Sequence, residues 1–254
     1  GAGLRRYVWD VPATGVIQLR RSSLNSLHSM VQRLVEAQHT RILFFGSSNT
    51  EHRLPGMQWS HCLELAIQQK YGRVHTVINT GVGGDTSADL LRRFDRDAAF
   101  CHPDVAIVTV GGNDSFPVNE ISPSQFRANL EQIQARFTRM DCEVIFQTYY
   151  APDGELLPDL NRFHQLMGIV RETAARTEAG LIDHLARWEP FRRDYPALYK
   201  PLMEDPFHLN FRGNAVIGVD LARHFGCPLG GTHLEFWAEA LHIQRLMDRL
   251  ENGE

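Results

Sequence analysis

Lysine is almost missing from this 254-residue chain, standing only at positions 70 and 200, so arginine carries nearly all of the positive charge. We read this as genome bias rather than function. With 26 basic against 30 acidic residues the net charge is −4, which leaves no basic footprint for nucleic acid or an anionic membrane. The four cysteines, at 62, 101, 142 and 227, are far apart and form no C-x-x-C pair. That spacing argues against a zinc site and a disulfide framework and leaves most of them as small buried hydrophobes. No run approaches the ~20 apolar residues that span a bilayer. Also absent are the G-x-G-x-x-G fingerprint, the P-loop with its lysine, the G-x-S-x-G elbow of α/β-hydrolases, internal repeats and charge runs. The expected compartment is the cytoplasm; a cleaved signal peptide would leave no trace in this sequence.

What is present is ordinary for a globular chain: 43% apolar and 22% charged residues, enough for a substantial core. The sequence predicts a helix over 22–38 behind Ser22 or Ser23, then the apolar strand "RILFFG" at 41–46. The pattern then repeats: helix 59–71, strand 73–81, helix 86–100, strand 104–114, helix 123–140, strand 142–150, helix 158–179, strand 180–184 and helix 213–225. A last amphipathic helix is expected over 233–251. Its stripe of Leu234, Trp237, Ala238, Leu241 and Leu246 either closes the core or makes a homodimer contact. Strands alternating with helices imply βαβ crossovers. The expected fold is therefore α/β: a flavodoxin-like three-layer α/β/α sandwich with a five-stranded parallel sheet, plus extra N- and C-terminal helices. We expect a single domain over 1–254, with its core at about 41–225 and terminal extensions at 1–40 and 226–254.

In such a fold ligands sit beyond the carboxyl ends of the strands. There the sequence places Gly46-Ser47-Ser48-Asn49, then Asn79-Thr80-Gly81-Val82-Gly83-Gly84-Asp85, then Gly111-Gly112-Asn113-Asp114; far downstream comes "EDPFHLN", with Asp205 and His208 three apart. Each block alone reads as a helix cap or a turn. Together they match acyl transfer, which needs a nucleophilic hydroxyl, an imidazole base, a group orienting that imidazole, and donors for the oxyanion. Ser48, His208 and Asp205 supply the first three. The N–H groups of Ser48 and Gly84 and the side-chain amide of Asn113 supply the donors, with Gly at 84 expected because a Cβ would hinder a substrate oxygen. Asp205 and His208 are expected to face the same way from one turn.

The ordered blocks "FFGSSNT", "NTGVGGDT", "VGGND" and "DPFHLN" resemble the SGNH hydrolases, also called GDSL esterases and lipases, over residues 41–225. The resemblance implies a flavodoxin-like sandwich and cofactor-free hydrolysis of esters or thioesters, with no metal. It also implies that Ser48 is the nucleophile and an oxyanion donor, Gly84 and Asn113 the other donors, His208 the base and Asp205 its orienting acid. Trp59 resembles a packing tryptophan after the nucleophile. The family's Gly-Asp-Ser reads Gly46-Ser47-Ser48 here, which opens the question of which serine attacks; Leu209 replaces a frequent proline. Asn49, Phe116, Tyr149, Tyr150 and Phe207 either shape the substrate pocket or are core and rim residues. Asp85 and Asp114 are expected to brace loops, and His52, His61 and His102 share no metal-ligand spacing. The expected activity is a serine esterase on small or medium acyl esters, O-acetylated carbohydrates among them. The alternatives are a thioesterase or lysophospholipase on longer chains and a non-catalytic acyl- or sugar-binding homologue.

Overall fold

The structure, a computed structural model, describes residues 29–154, 160–227 and 234–254. Five parallel strands, β1 (Thr40–Gly46), β2 (His75–Asn79), β3 (Val105–Thr109), β4 (Glu143–Gln147) and β5 (Gly180–Ile182), form one sheet in the order β2-β1-β3-β4-β5. Continuous apolar runs, rather than alternating ones, are what such a sheet requires. Only Arg41 of β1 is exposed, and β3 is buried throughout, because helices cover both faces.

The helices are α1 (29–35), α2 (Trp59–Tyr71), α3 (Ser87–Arg92), the single turn α4 (Phe94–Asp97), α5 (Pro123–Thr138) and α6 (Leu160–Thr177). There follow α7 (His184–Asp194), the single turn α8 (Pro196–Tyr199), α9 (Phe211–His224) and α10 (Leu234–Glu251). Right-handed crossovers put α3, α5 and α6 on one face of the sheet and α2 with α9 on the other, while α10 packs over α9 and α7. This is the three-layer α/β/α sandwich. Among the described residues no helix is long and apolar enough to cross a membrane, and all four thiols are free.

Several expected elements differ in detail. The start of the helix expected over 22–38, with its serine cap, lies outside the described residues. The helix expected over 86–100 is broken: Arg93 leaves helical geometry at φ −97°, ψ 6° and separates α3 from α4. The strands stop short of the polar residues that follow them, which belong to the loops. α7 was hidden from the sequence pattern by Pro190 in its interior, a residue that normally ends a helix. A short antiparallel hairpin, β6 (Met203–Asp205) and β7 (His208–Leu209), was likewise too brief to register as a period. In α10 the inward face holds Trp237, Ala240, Ile243, Leu246 and Met247, whereas Ala238 of the expected stripe is exposed. That face closes the core against α9 and α7; the Leu234 side chain lies outside the description.

Candidate active site

The chain reverses its direction of travel through the sheet between β1 and β3, so the crevice for a ligand opens at their carboxyl ends. Three of the four sequence blocks reach that crevice from β1, β2 and β3. The strand β1 ends at a glycine for a steric reason: a Cβ on Gly46 would collide with Thr50 Oγ1 and the Thr109 carbonyl oxygen. The chain can then turn at once, with the N–H groups of Thr50 and Glu51 both donating to the Ser47 carbonyl at 2.9 Å.

Ser48 Oγ lies 2.9 Å from His208 Nε2, and His208 Nδ1 lies 2.7 Å from Asp205 Oδ2. The hairpin sets this geometry, since its ladder pairs Asp205 with His208 across the turn. This differs from the expected turn at a helix start. The other Asp205 oxygen accepts from the N–H groups of Phe207 (2.7 Å) and His208 (2.8 Å), which fixes the carboxylate. Burial pushes the Asp205 carboxyl up, but the Phe207 N–H and then the His208 ring outweigh it and hold it below the usual carboxylate range. An ionised Asp205 accepts the Nδ1 proton, which leaves Nε2 free to accept from the Ser48 hydroxyl. Asn210 then caps α9, its Oδ1 accepting from the N–H groups of Arg212 (2.9 Å) and Gly213 (3.2 Å).

Gly84 has φ +83°, a backbone region that favours glycine. A Cβ there would meet no protein atom within 4 Å, so the conformation and the open space before the N–H are what the residue provides. Among the described hydrogen bonds neither the Ser48 nor the Gly84 N–H has an acceptor. Asn113 donates one amide hydrogen to the Asp85 carbonyl at 2.9 Å, which ties its side chain to the Gly84 loop and leaves a second N–H. Asp114, fully buried, accepts from the Ser87 N–H (2.9 Å) and hydroxyl (2.5 Å) and anchors α3; burial raises its pKa. Asp85 Oδ2 likewise accepts from Arg93 Nε at 2.5 Å, so both aspartates brace loops.

Ser47 points elsewhere. It is 1% exposed, and its Oγ is 2.9 Å from the hydroxyl of Tyr149, itself 3% exposed. Tyr150 is equally buried; its hydroxyl bonds Asn49 Oδ1 and the Phe207 carbonyl, both at 2.6 Å. Trp59 packs edge-on to Phe44 at 4.9 Å and donates from Nε1 to the Asn49 carbonyl at 2.7 Å, so it also holds the turn after Ser48. Phe116 and Phe207 lie partly exposed with ring centroids 5.5 Å apart. A cavity of about 30 Å³ opens beside Ser48 and His208. Leu54, Gln58 and Ile217 line it with Asn49, Trp59, Tyr149 and Tyr150. The first two were missed in the sequence, although their place in the loop from β1 to α2 was a usable signal. The His52 and His61 rings meet edge-on at 4.7 Å, but among the described residues no group of three His, Cys, Asp or Glu is placed to hold a metal.

A hydroxyl, an imidazole and a carboxylate hydrogen-bonded in line at the switch point of an α/β/α sandwich mark the class of acyl-transfer hydrolases. Comparison with known proteins narrows the class. The chain belongs to the GDSL-like Lipase/Acylhydrolase family, whose profile matches residues 44–216, and it is a carboxylic ester hydrolase. Among solved structures it is similar to an acetylxylan esterase from Geobacillus stearothermophilus, at 22% identity and a TM-score of 0.64 over 74% of this chain and 94% of that one. The acetyl xylan esterase AlAXEase aligns at 20% identity and a TM-score of 0.65, over 72% of this chain and 98% of its own. An α/β hydrolase from the metagenome of Lake Arreo, Spain, aligns at 21% and 0.65, over 75% and 97%. At these identities the likeness concerns the fold. A search of curated proteins gives no match.

Proposed function

We propose that this chain is a serine esterase that cleaves small acyl groups, in particular acetyl groups on carbohydrates, through an acyl-enzyme on Ser48. The hydrogen-bonded line Ser48 Oγ–His208 Nε2–His208 Nδ1–Asp205 Oδ2, at 2.9 and 2.7 Å, carries the proposal. His208 takes the Ser48 proton as Oγ attacks the acyl carbonyl carbon. The oxyanion settles among the N–H groups of Ser48 and Gly84 and the second amide hydrogen of Asn113. As the carbonyl reforms, the bond to the alcohol oxygen breaks and the alcohol leaves with the proton from His208. Water, deprotonated by His208, then attacks the acyl-enzyme, and Ser48 recovers its proton as the carboxylic acid departs. Asp205 stays ionised throughout, holding the ring and stabilising the imidazolium.

The preference for small acyl groups goes with the cavity beside Ser48, which Leu54, Trp59, Tyr149 and Tyr150 wall and which would receive the acyl group. The acetylated carbohydrate is suggested by the acetylxylan esterases that share the fold. A fluorophosphonate probe should label the wild type and not Ser48→Ala. A panel of p-nitrophenyl esters from acetate to palmitate, with acetylated xylan oligomers, should show activity falling as the acyl chain lengthens. Absence of label on folded wild type would remove the serine mechanism. Preference for acyl chains of about twelve or more carbons would remove the small-acyl reading.

A further inference from the structure

The helix break at Arg93 has a structural counterpart beneath the site. Arg93 is only 8% exposed, and its side chain turns inward from the break between α3 and α4. There the guanidinium lies over the Phe45 ring of β1, 4.7 Å from its centroid. Its Nη2 donates to the Gly46 carbonyl at 2.9 Å, directly before the serine pair. Its Nη1 donates to the Thr80 carbonyl at 2.7 Å, where β2 enters the glycine loop, and to Asp97 Oδ2 at 3.2 Å. Its Nε donates to Asp85 Oδ2 at 2.5 Å, at the far end of that loop. One planar cation thus ties together the carboxyl end of β1, both ends of the Gly81–Gly84 loop and the end of α4. The ties continue to the donors. The Gly46 carbonyl also accepts from the Val82 N–H at 3.1 Å, and the Asp85 carbonyl accepts from Asn113 Nδ2 at 2.9 Å.

We propose that Arg93 is the positioning residue of the oxyanion site. It touches no reacting atom, and it sets the spacing of the Ser48, Gly84 and Asn113 donors by holding the loops that carry them. The inference rests on the Ser48-centred reading above. Only the forked guanidinium meets the need, because four acceptors in different directions must be reached by donors fixed in one plane. A lysine would carry the charge to one of them. Donors held before the substrate arrives cost no reorganisation as charge develops, so loosening them should act on the transition state rather than on substrate binding.

The test compares wild type, Arg93→Lys and the double variant Arg93→Met with Asp85→Asn, which avoids stranding the Asp85 carboxylate without its cation. Each is assayed for kcat and KM on p-nitrophenyl acetate, with thermal unfolding measured in parallel. In folded variants kcat should fall about 10²-fold, the scale of losing one oxyanion donor, while KM stays within about threefold. Guanidinium ion at non-denaturing concentration should restore part of the kcat of the double variant and none of that of Arg93→Lys. Folded variants with near-wild-type kcat, or a loss carried by KM, would overturn the proposal. Failure of every variant to fold would also overturn it, by showing that Arg93 holds the sheet rather than the site. A wild type that neither labels nor turns over would instead sink the Ser48 reading.

Discussion

The neighbouring hydroxyls of Ser47 and Ser48 should respond to removal in opposite ways. Ser47 sits in the core with Tyr149, and neither side chain reaches water. Burial pushes the Tyr149 phenol up to about 12, against the Ser47 hydroxyl and the Gly112 N–H, so the phenol keeps its proton at neutral pH. Ser47→Ala therefore removes one hydrogen-bond partner of a buried hydroxyl, which costs about 1–3 kcal/mol. For a chain of this size that is a fall in Tm of roughly 2–12 °C, at ~2–4 °C per kcal/mol. Activity should survive, since Ser47 touches neither His208 nor the donor loop, and kcat should stay within about threefold of wild type. Ser48→Ala should do the reverse. Its hydroxyl bonds only the partly exposed His208 ring, so Tm should hold while kcat falls by up to about 10⁶. Calorimetry and an acetate-ester assay on the two variants decide the matter. A folded but inactive Ser47→Ala beside an active Ser48→Ala would refute the assignment.

Two more outcomes follow from the same geometry. Asn113→Ala should lower kcat by about 10²–10³ with little change in KM, since in the proposed mechanism the amide meets charge that develops only in the transition state; unchanged kcat in steady-state assays would exclude Asn113 as a donor. Stability should also depend on acid through Asp220, which lies buried 3.1 Å from His184 Nδ1 and 3.4 Å from Arg187 Nε. Burial raises its pKa, but His184 and then the His224 and Arg187 charges outweigh this and hold it well below the usual range. A depressed folded pKa contributes stability above the unfolded value of about 3.9 that is lost as pH falls through the folded one. Melting curves should therefore drop steeply below about pH 4 in wild type and less steeply in Asp220→Asn, which starts from a lower Tm at pH 7. Parallel slopes in the two proteins would refute this.

The strands and their parallel order were legible because a sheet covered on both faces needs unbroken apolar runs, and "RILFFG" and "DVAIVTV" are such runs. Ser48, Gly84, Asn113, Asp205 and His208 were singled out in the sequence because their blocks, in that order, match the needs of acyl transfer; the structure sets Ser48, His208 and Asp205 in one hydrogen-bonded line and ties Asn113 to the Gly84 loop. Tertiary contacts decided the rest. Nothing in the helix expected over 86–100 singles out Arg93; only in the fold does its guanidinium find the carbonyls of Gly46, at the end of β1, and of Thr80, just after β2. A two-residue strand leaves no periodicity, so the hairpin that pairs Asp205 with His208 could not be seen. Nor could local sequence show that Ser47 would meet Tyr149, 102 positions away, and so turn from the crevice. Periodicity and residue type act along the chain and survive in one dimension; which hydroxyl faces the imidazole and which cation faces the core depends on contacts that exist only once the layers close.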